Sequence, residues 1–325
     1  MIKKRVLFIG IGFYDYEDAI IDEFVQQGYE VDYFSETPPN SFRYRIFQRF
    51  KQYKKIEAVK ENHSLSIVEK SNGNYDLVFI IKGESFSKNA IEILKNKNQN
   101  AKFILYLWDS IRRIEGIEDK LDFFDKVFSF DRLDSIDNKK LVFNPLFFRN
   151  EYSVQNTNSI QKNHIYHLGW YHSDRLILVQ KIANYCEENN FSYQFILFTG
   201  YVSYLIQSVF GGQLKKNKKF LIFKPVPAKE NFSNILNSKV TLDIAHPFQS
   251  GLTMRTIELI GAERKIVTTN EDILNYDFYN PNNILIINRD NPVLEKSFFE
   301  TEYIAIPSEI RSNYAIRNWL SRMIN

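Results

Sequence analysis

Three things are scarce in this chain of 325 residues: cysteine, long apolar runs and net charge. The one cysteine, Cys186, has no partner for an internal disulfide, which excludes a disulfide-stapled secreted scaffold and fits a reducing compartment. Its amphipathic surroundings favour core packing over a redox role. No stretch approaches the roughly 18 apolar residues that a membrane span requires, so the chain is not expected to be integral to a bilayer. The start, MIKKRVLFIGIG, is basic and then apolar, but acidic YDYEDAIIDE follows at once. It fails as a secretory signal and reads as a first strand. A net charge of +3 is too small for a nucleic-acid partner, which needs a strongly basic domain or stripe. Metal-ligand patterns are missing too. DRLD at 131 to 134 is not D-x-D, and His63, His164 and His167 have no ligand spacing, so no metal is expected.

What remains is ordinary soluble protein, 44% hydrophobic and 25% charged, long enough for two domains of about 150 residues each. In the first half, RVLFIGIG, EVDYFS, YDLVFIIKG, KFILYLWDS and KVFSFD alternate with the helical patterns YEDAIIDEFVQQG and SKNAIEILKNKN. Continuous apolar strands between helices indicate a parallel sheet covered on both faces. Residues 150–163 are polar and aperiodic, and then the alternation restarts at HIYHLG, followed by a helix with Ser173 or Asp174 as its cap. The reading is α/β: two Rossmann-like doubly wound domains facing across a cleft, over 1–150 and 164–307. Residues 308–325 read as a final helix that crosses back to the first domain.

Residues 41–56, SFRYRIFQRFKQYKKI, form one basic amphipathic helix by spacing. Phe42, Ile46, Phe47, Phe50 and Tyr53 make its stripe, and arginines and lysines fill the rest. It suits an anionic membrane surface or, alternatively, packing on its own domain.

In open α/β sheets ligands bind where the strands' carboxyl ends meet helix N-termini. GIG at 10 to 12 lacks the third glycine of the dinucleotide fingerprint. Asp15 stands there instead and would repel a pyrophosphate, so Gly12 reads as a turn on the acceptor side and no nicotinamide or flavin is expected. HPFQSGLTMRTIELIGAERKIVTTN at 246 to 270 differs. Gly251, Leu252 and Thr253 open a helix whose free N–H groups attract an anion, Arg255 adds charge-assisted bonds, and Glu258 can accept from ribose hydroxyls. That combination describes a nucleoside diphosphate.

The same stretch resembles the donor-binding segment of GT-B glycosyltransferases, in which a Gly-rich turn opens a helix that carries a ribose-binding Glu. It also resembles bacterial enzymes that build capsule, exopolysaccharide or lipopolysaccharide. The resemblance implies that Glu258 holds the ribose and that Gly251, Leu252 and Thr253 hold the diphosphate. The acid usual seven positions earlier is replaced, since 258 minus 7 is 251, a glycine. It further implies that Gly169, His172 and Arg175, in LGWYHSDR, face the donor phosphates; a surface arginine is the alternative for Arg175. His246 either bonds phosphate or ends its strand. On the first domain Asp109, beside Trp108 at a strand end, is the candidate general base or else a helix cap, with Glu84 the second candidate and Lys82 an acceptor or phosphate ligand.

The expected activity is metal-independent transfer of a sugar from a nucleotide-diphosphate donor to a glycan or lipid-linked acceptor, without a cofactor. The expected location is the cytoplasm, with peripheral attachment to the inner face of the membrane. A two-domain binding protein without catalysis is the alternative from another class; a GT-B-like epimerase or phosphorylase is a third.

Overall fold

The computed structural model describes residues 3–12, 15–39, 42–71, 73–153, 161–172, 174–201, 204–205, 217–247 and 249–325. Two compact units divide the chain: residues 1–149 with 316–325, and residues 150–315.

The first unit contains β1 (Lys4–Gly10), α1 (Tyr16–Gln26), β2 (Tyr29–Ser35), α2 (Phe42–Arg49), α3 (Tyr53–Lys70) and β3 (Leu77–Ile81). After these come α4 (Lys88–Lys97), β4 (Lys102–Leu107), β5 (Lys126–Ser129), α5 (Arg132–Asp137) and β6 (Leu141–Phe143). Its six strands are parallel in the order β2-β1-β3-β4-β5-β6. Every side chain of β3, LVFII, is buried, as a strand covered on both faces requires. Ser87 caps α4, its hydroxyl accepting from the Ala90 amide at 3.2 Å.

The second unit contains β7 (Asn163–Trp170), α6 (Arg175–Glu188), β8 (Tyr193–Phe198), β9 (Leu221–Ile222), α7 (Ala228–Leu236) and β10 (Ser238–Asp243). These lead to α8 (Met254–Gly261), β11 (Lys265–Thr268), β12 (Ile284–Ile286), α9 (Lys296–Glu300) and α10 (Ser308–Asn313). Its sheet is parallel in the order β12-β11-β10-β7-β8-β9. Counted from β7 as the first strand, this is the Rossmann order 3-2-1-4-5-6 read from the other end. Cys186 is wholly buried in the core of this unit, and burial pushes its thiol up to about 12, so it packs rather than reacts.

Two helices differ from expectation. Residues 41–56 are not one helix: α2 stops before Lys51, whose φ of 49° is left-handed, and α3 starts at Tyr53. Of the expected stripe, Ile46 and Phe47 are half-buried while Phe50 and Tyr53 stay out at 66% and 60%, so it divides, and Tyr44, outside the stripe, turns inward at 7% exposure. Ser41 lies outside the described residues. The tail is likewise two helices, α10 and α11 (Ile316–Ile324). Tyr314 is tied to the second unit by its hydroxyl on Asp277 at 2.6 Å, and the Ile316 amide donates to the Phe148 carbonyl at 3.1 Å instead of continuing the helix. On the first unit α11 buries Trp319 against Phe147, Tyr106 and Phe79, and its Arg322 donates to Asn144. Among the described residues no helix is long and apolar enough to cross a membrane.

Candidate functional site

The strand order of the second unit reverses direction between β7 and β10, and loops leaving the carboxyl ends of two such strands part to form a crevice. Two arginines tie these loops together. Arg175, opening α6, donates to the Trp170 carbonyl after β7 (3.3 Å) and the Ile244 carbonyl after β10 (2.8 Å). Arg289, after β12, donates to the Ala245 carbonyl and pairs with Asp174 at 2.6 Å. Burial lowers Arg175 to about 10, with Asp243 opposing the shift and Arg255 adding to it, so it remains a cation at neutral pH. Arg255, on the first turn of α8, has no hydrogen-bond or ion-pair partner among the described residues, though its charge is felt by Arg175 and His167.

The start of α8 is fixed by side chains from the strand ends around it. Thr253 is its cap, accepting from the Thr256 amide at 3.2 Å, and the hydroxyls of Thr253 and Thr256 both donate to Asp243 at the end of β10, at 2.9 and 2.7 Å. Asn270, after β11, donates to the Ser250 and Gly251 carbonyls at 3.0 and 3.4 Å, and Gln249 donates to Gly251 at 2.9 Å. Gly251 and Leu252 are buried, and Glu258 is buried at 5% exposure on the same helix. His172 and His246, one from each loop, stack with ring centroids 6.1 Å apart. His167 lies beneath them in β7. Its Nδ1 must carry the proton, since it bonds the Leu242 carbonyl at 2.7 Å, and its Nε2 has no partner among the described residues. Burial, then Arg255, hold its pKa well below the usual range, so it is neutral. Gly169 is glycine for a steric reason: a Cβ there would lie 2.8 Å from His167 Nε2.

Gly169 near the end of β7, His172 and Arg175 after it, His246, Gly251, Leu252 and Thr253 after β10, and Arg255 and Glu258 on α8 thus all lie on the elements flanking one strand reversal. Sequence reasoning missed Asp243, Asn270 and Arg289. Asp243 was findable as the acid ending VTLD ahead of a T-x-x-T; Arg289 carries no local signal. Ser173, one of two cap candidates, lies outside the described residues. The other, Asp174, stands at the cap position of α6 without a capping bond and serves Arg289 instead.

The first unit treats its equivalent edge differently. Gly12 has φ of 76°, and the loop after β1 turns its amides onto the carboxylate of Glu17: Ile11 N at 2.5 Å, Gly12 N at 2.9 and 3.0 Å. The Tyr33 hydroxyl donates to the same carboxylate at 2.5 Å. An internal anion therefore fills the phosphate position of the loop. Asp15, the residue expected to repel a phosphate, points away to Arg149 at 2.5 Å. Lys82 and Glu84, after β3, pair with each other at 2.6 Å. Glu84 lines a cavity of about 610 Å³ together with Glu57, Lys60, Ser85 and Lys120. Asp109 is not a helix cap: the short 3-10 turn that follows starts at Ser110, its Ile111 amide is taken by Asp134 at 2.6 Å, and Asp109 pairs with Arg113 at 3.1 Å. Glu36, just after β2, is fully buried, and desolvation pushes its carboxyl up to about 7 against the lowering effects of the Ser85 amide, Lys120 and Lys82. Among the described residues no three His, Cys, Asp or Glu side chains are grouped to hold a metal ion.

No family model and no curated protein matches the sequence. Solved structures do match the fold. A glycosyltransferase from Rickettsia africae ESF-5 superposes with TM-score 0.58 at 12% identity, over 99% of this chain and 97% of that one. Anabaena Alr3699/HepE, crystallised with UDP and glucose, gives 0.58 at 10% identity, over 98% and 94%. The UDP-GlcNAc 2-epimerase of Methanocaldococcus jannaschii, in complex with UDP-GlcNAc and UDP, gives 0.57 at 12% identity, over 99% of both. The two parallel sheets and the likeness along nearly the whole chain give this protein the fold of GT-B proteins, a pair of Rossmann-like units.

Proposed function

We propose that the protein is a GT-B glycosyltransferase that moves a sugar from a nucleotide-diphosphate donor, without a metal ion, to a glycan or lipid-linked acceptor in bacterial surface polysaccharide synthesis. The observation that carries the reading is the cluster of Arg175, Arg255 and Arg289 at the strand reversal of the second unit, with Asp174 and Asp243 as opposing carboxylates, beside the capped start of α8. A leaving diphosphate carries negative charge that such a cluster of guanidinium groups stabilises without a metal ion, and a helix start adds its N–H groups. Glu258 is the ribose ligand in this reading. Asp109, or Glu84 beside its cavity, accepts the proton of the attacking hydroxyl if the anomeric configuration inverts. The UDP and UDP-sugar in two proteins of this fold support a nucleotide-sugar ligand.

Calorimetry with UDP, GDP, ADP and CMP, followed by turnover of the matching sugar nucleotides with and without EDTA, tests the proposal. Affinity for one diphosphate and EDTA-resistant, acceptor-dependent turnover are expected. No affinity for any of them removes it. An epimerase shares the fold, and acceptor-independent conversion of the sugar would favour that reading.

The location follows from the acceptor. The elbow between α2 and α3 exposes Phe50 and Tyr53 among exposed Arg49, Lys51, Lys54 and Lys55, which suits the cytoplasmic face of an anionic membrane at roughly 1 kcal/mol per basic residue. Salt-sensitive sedimentation with anionic but not neutral vesicles is expected, and a protein that stays in the supernatant with both at low salt does not bind there.

A further inference from the structure

The opposite edge of the second sheet holds a cavity of about 350 Å³, lined where β10 and β11 begin by Lys239, Arg264 and Lys265 and, after α9, by Tyr303. Its polar groups separate into those already used and those left over. Lys265 is used: its Nζ donates to the Phe298 carbonyl at 2.7 Å and to the Thr301 carbonyl and hydroxyl at 2.8 and 2.6 Å. The acids of the lining are used or outside: Glu263 pairs with Arg311 at 3.3 Å, Glu300 pairs with Lys296 at 3.8 Å, and Glu302 is exposed. Arg264 is left over. It is 6% exposed, and its Nε and Nη2 have no hydrogen-bond partner among the described residues. Nor does the Tyr303 hydroxyl, and Lys239 forms no ion pair with a described residue.

Nε–H and the outer N–H of Nη2 lie on one side of a guanidinium and point the same way, the fork that meets a carboxylate or phosphate with two parallel bonds. A buried cation whose fork is empty is costly in the free protein, and the cost disappears when an oxyanion fills it. Burial lowers the Arg264 pKa, with Glu263 opposing, and raises that of Tyr303, so the phenol stays protonated and can donate.

We propose that this cavity is a second ligand site, separate from the candidate donor site, which takes the oxyanion of a small phosphorylated or carboxylated metabolite on the fork of Arg264, with Tyr303 and Lys239 as further donors. The occupied site ties the turn after α8, which carries Arg264, to the segment after α9, so its ligand reports on the far end of the helix whose start holds the donor candidates.

The test is titration of the whole protein with inorganic phosphate at constant ionic strength, followed by the NMR signals of the Arg264 Nε–H and the Tyr303 backbone amide. A saturable shift of both is expected, and the affinity read at the Tyr303 amide falls at least tenfold in Arg264→Gln and is retained in Arg255→Ala, at the other edge. Should Arg264→Gln not fold, Tyr303→Phe and Lys239→Gln keep the volume and are each expected to weaken phosphate about three- to tenfold. A parallel titration with acetate tells a phosphoryl from a carboxyl preference, and either one fills the fork. No shift of the Arg264 signal at tens of millimolar phosphate overturns the proposal. So does an unchanged affinity in folded Arg264→Gln or in both other variants, or loss of the response in Arg255→Ala instead.

Discussion

The two units are built on parallel six-stranded sheets, yet they load the carboxyl ends of their strands with opposite charge. In the first, the turn after β1 closes on Glu17, the buried Glu36 follows β2, and the cations Lys82, Arg113 and Arg149 are each paired with a carboxylate. In the second, Arg175 donates to two carbonyls, Arg289 to one carbonyl and to the carboxylate of Asp174, and Arg255, without an ion-pair partner among the described residues, adds a third positive charge. The same topology therefore serves two chemistries. A sheet edge that has filled its own anion position can offer carboxylates as bases, whereas one that aims arginines and helix amides outward attracts phosphate. The difference lies in a few side chains that the fold does not dictate.

The largest effect expected of that division is on turnover. If the first unit supplies the base through Asp109, Asp109→Asn lowers turnover by about 10²–10⁴-fold while nucleotide affinity, a property of the other unit, hardly changes. Steady-state kinetics beside calorimetry reads both. Near-normal turnover excludes Asp109, and Glu84→Gln then becomes the informative variant, with Glu84 already at the wall of a cavity.

Next comes the acid buried in the first edge. Glu36 moves from 4.5 to about 7 on folding, so between those values the native protein holds a proton that the unfolded chain has released. Stability is fully present below pH 4.5 and falls as pH rises through about 7, by about 3 kcal/mol from this group. Glu36→Gln removes that slope. Denaturant unfolding of both proteins at pH 5 and pH 8 measures it, and parallel pH profiles would show that the carboxyl is not held protonated.

How much of this was legible follows from where each signal resides. Buried parallel strands announce themselves as unbroken apolar strings, LVFII above all, and the start of α8 is readable in GLTMR to within two residues, although Gly251, Leu252 and Thr253, read as opening the helix, precede it and Thr253 is its cap. Elements decided by distant partners or lacking a break signal were not readable. The break at Lys51 is held by local bonds, the Gln52 amide on the Phe47 carbonyl at 2.9 Å, with no glycine or proline to mark it, and the split of the tail depends on the carbonyl of Phe148, far along the chain. The strand β6 is three residues with two exposed, too short to leave a pattern. Spacing pointed to Asp15 as the acid of the first loop, but the loop curls so that Glu17 reaches its amides; one-dimensional spacing cannot tell the two apart.

The arginine edge is broken most directly at Arg255, whose side chain has no hydrogen-bond or ion-pair partner among the described residues. Arg255→Ala is expected to weaken nucleoside diphosphate binding by about 1.5–3 kcal/mol, the usual cost of a charged hydrogen bond, and Glu258→Ala by about 1–3 kcal/mol for the ribose. Their signatures separate: the nucleoside without phosphates should feel the loss of Glu258 and not that of Arg255. Equal losses for nucleoside and diphosphate in Arg255→Ala would mean that the arginine does not meet the phosphates.

The smallest effect sharpens the comparison from the other side. Glu17→Gln keeps the size of the side chain and one acceptor oxygen but removes its charge, so the bonds from Ile11, Gly12 and Tyr33 weaken rather than vanish. The expected loss is about 1 kcal/mol, a fall in Tm of roughly 2–4 °C. More telling is what should not appear. If the first edge rejects phosphate because it lacks free cations as well as because Glu17 fills the turn, uncharging Glu17 gives no new affinity, and nucleotide still binds once per chain. A second equivalent of phosphate or nucleotide in Glu17→Gln, counted by calorimetry, would mean that one carboxylate alone separates the two edges, and that the arginines of the second unit add strength rather than choice.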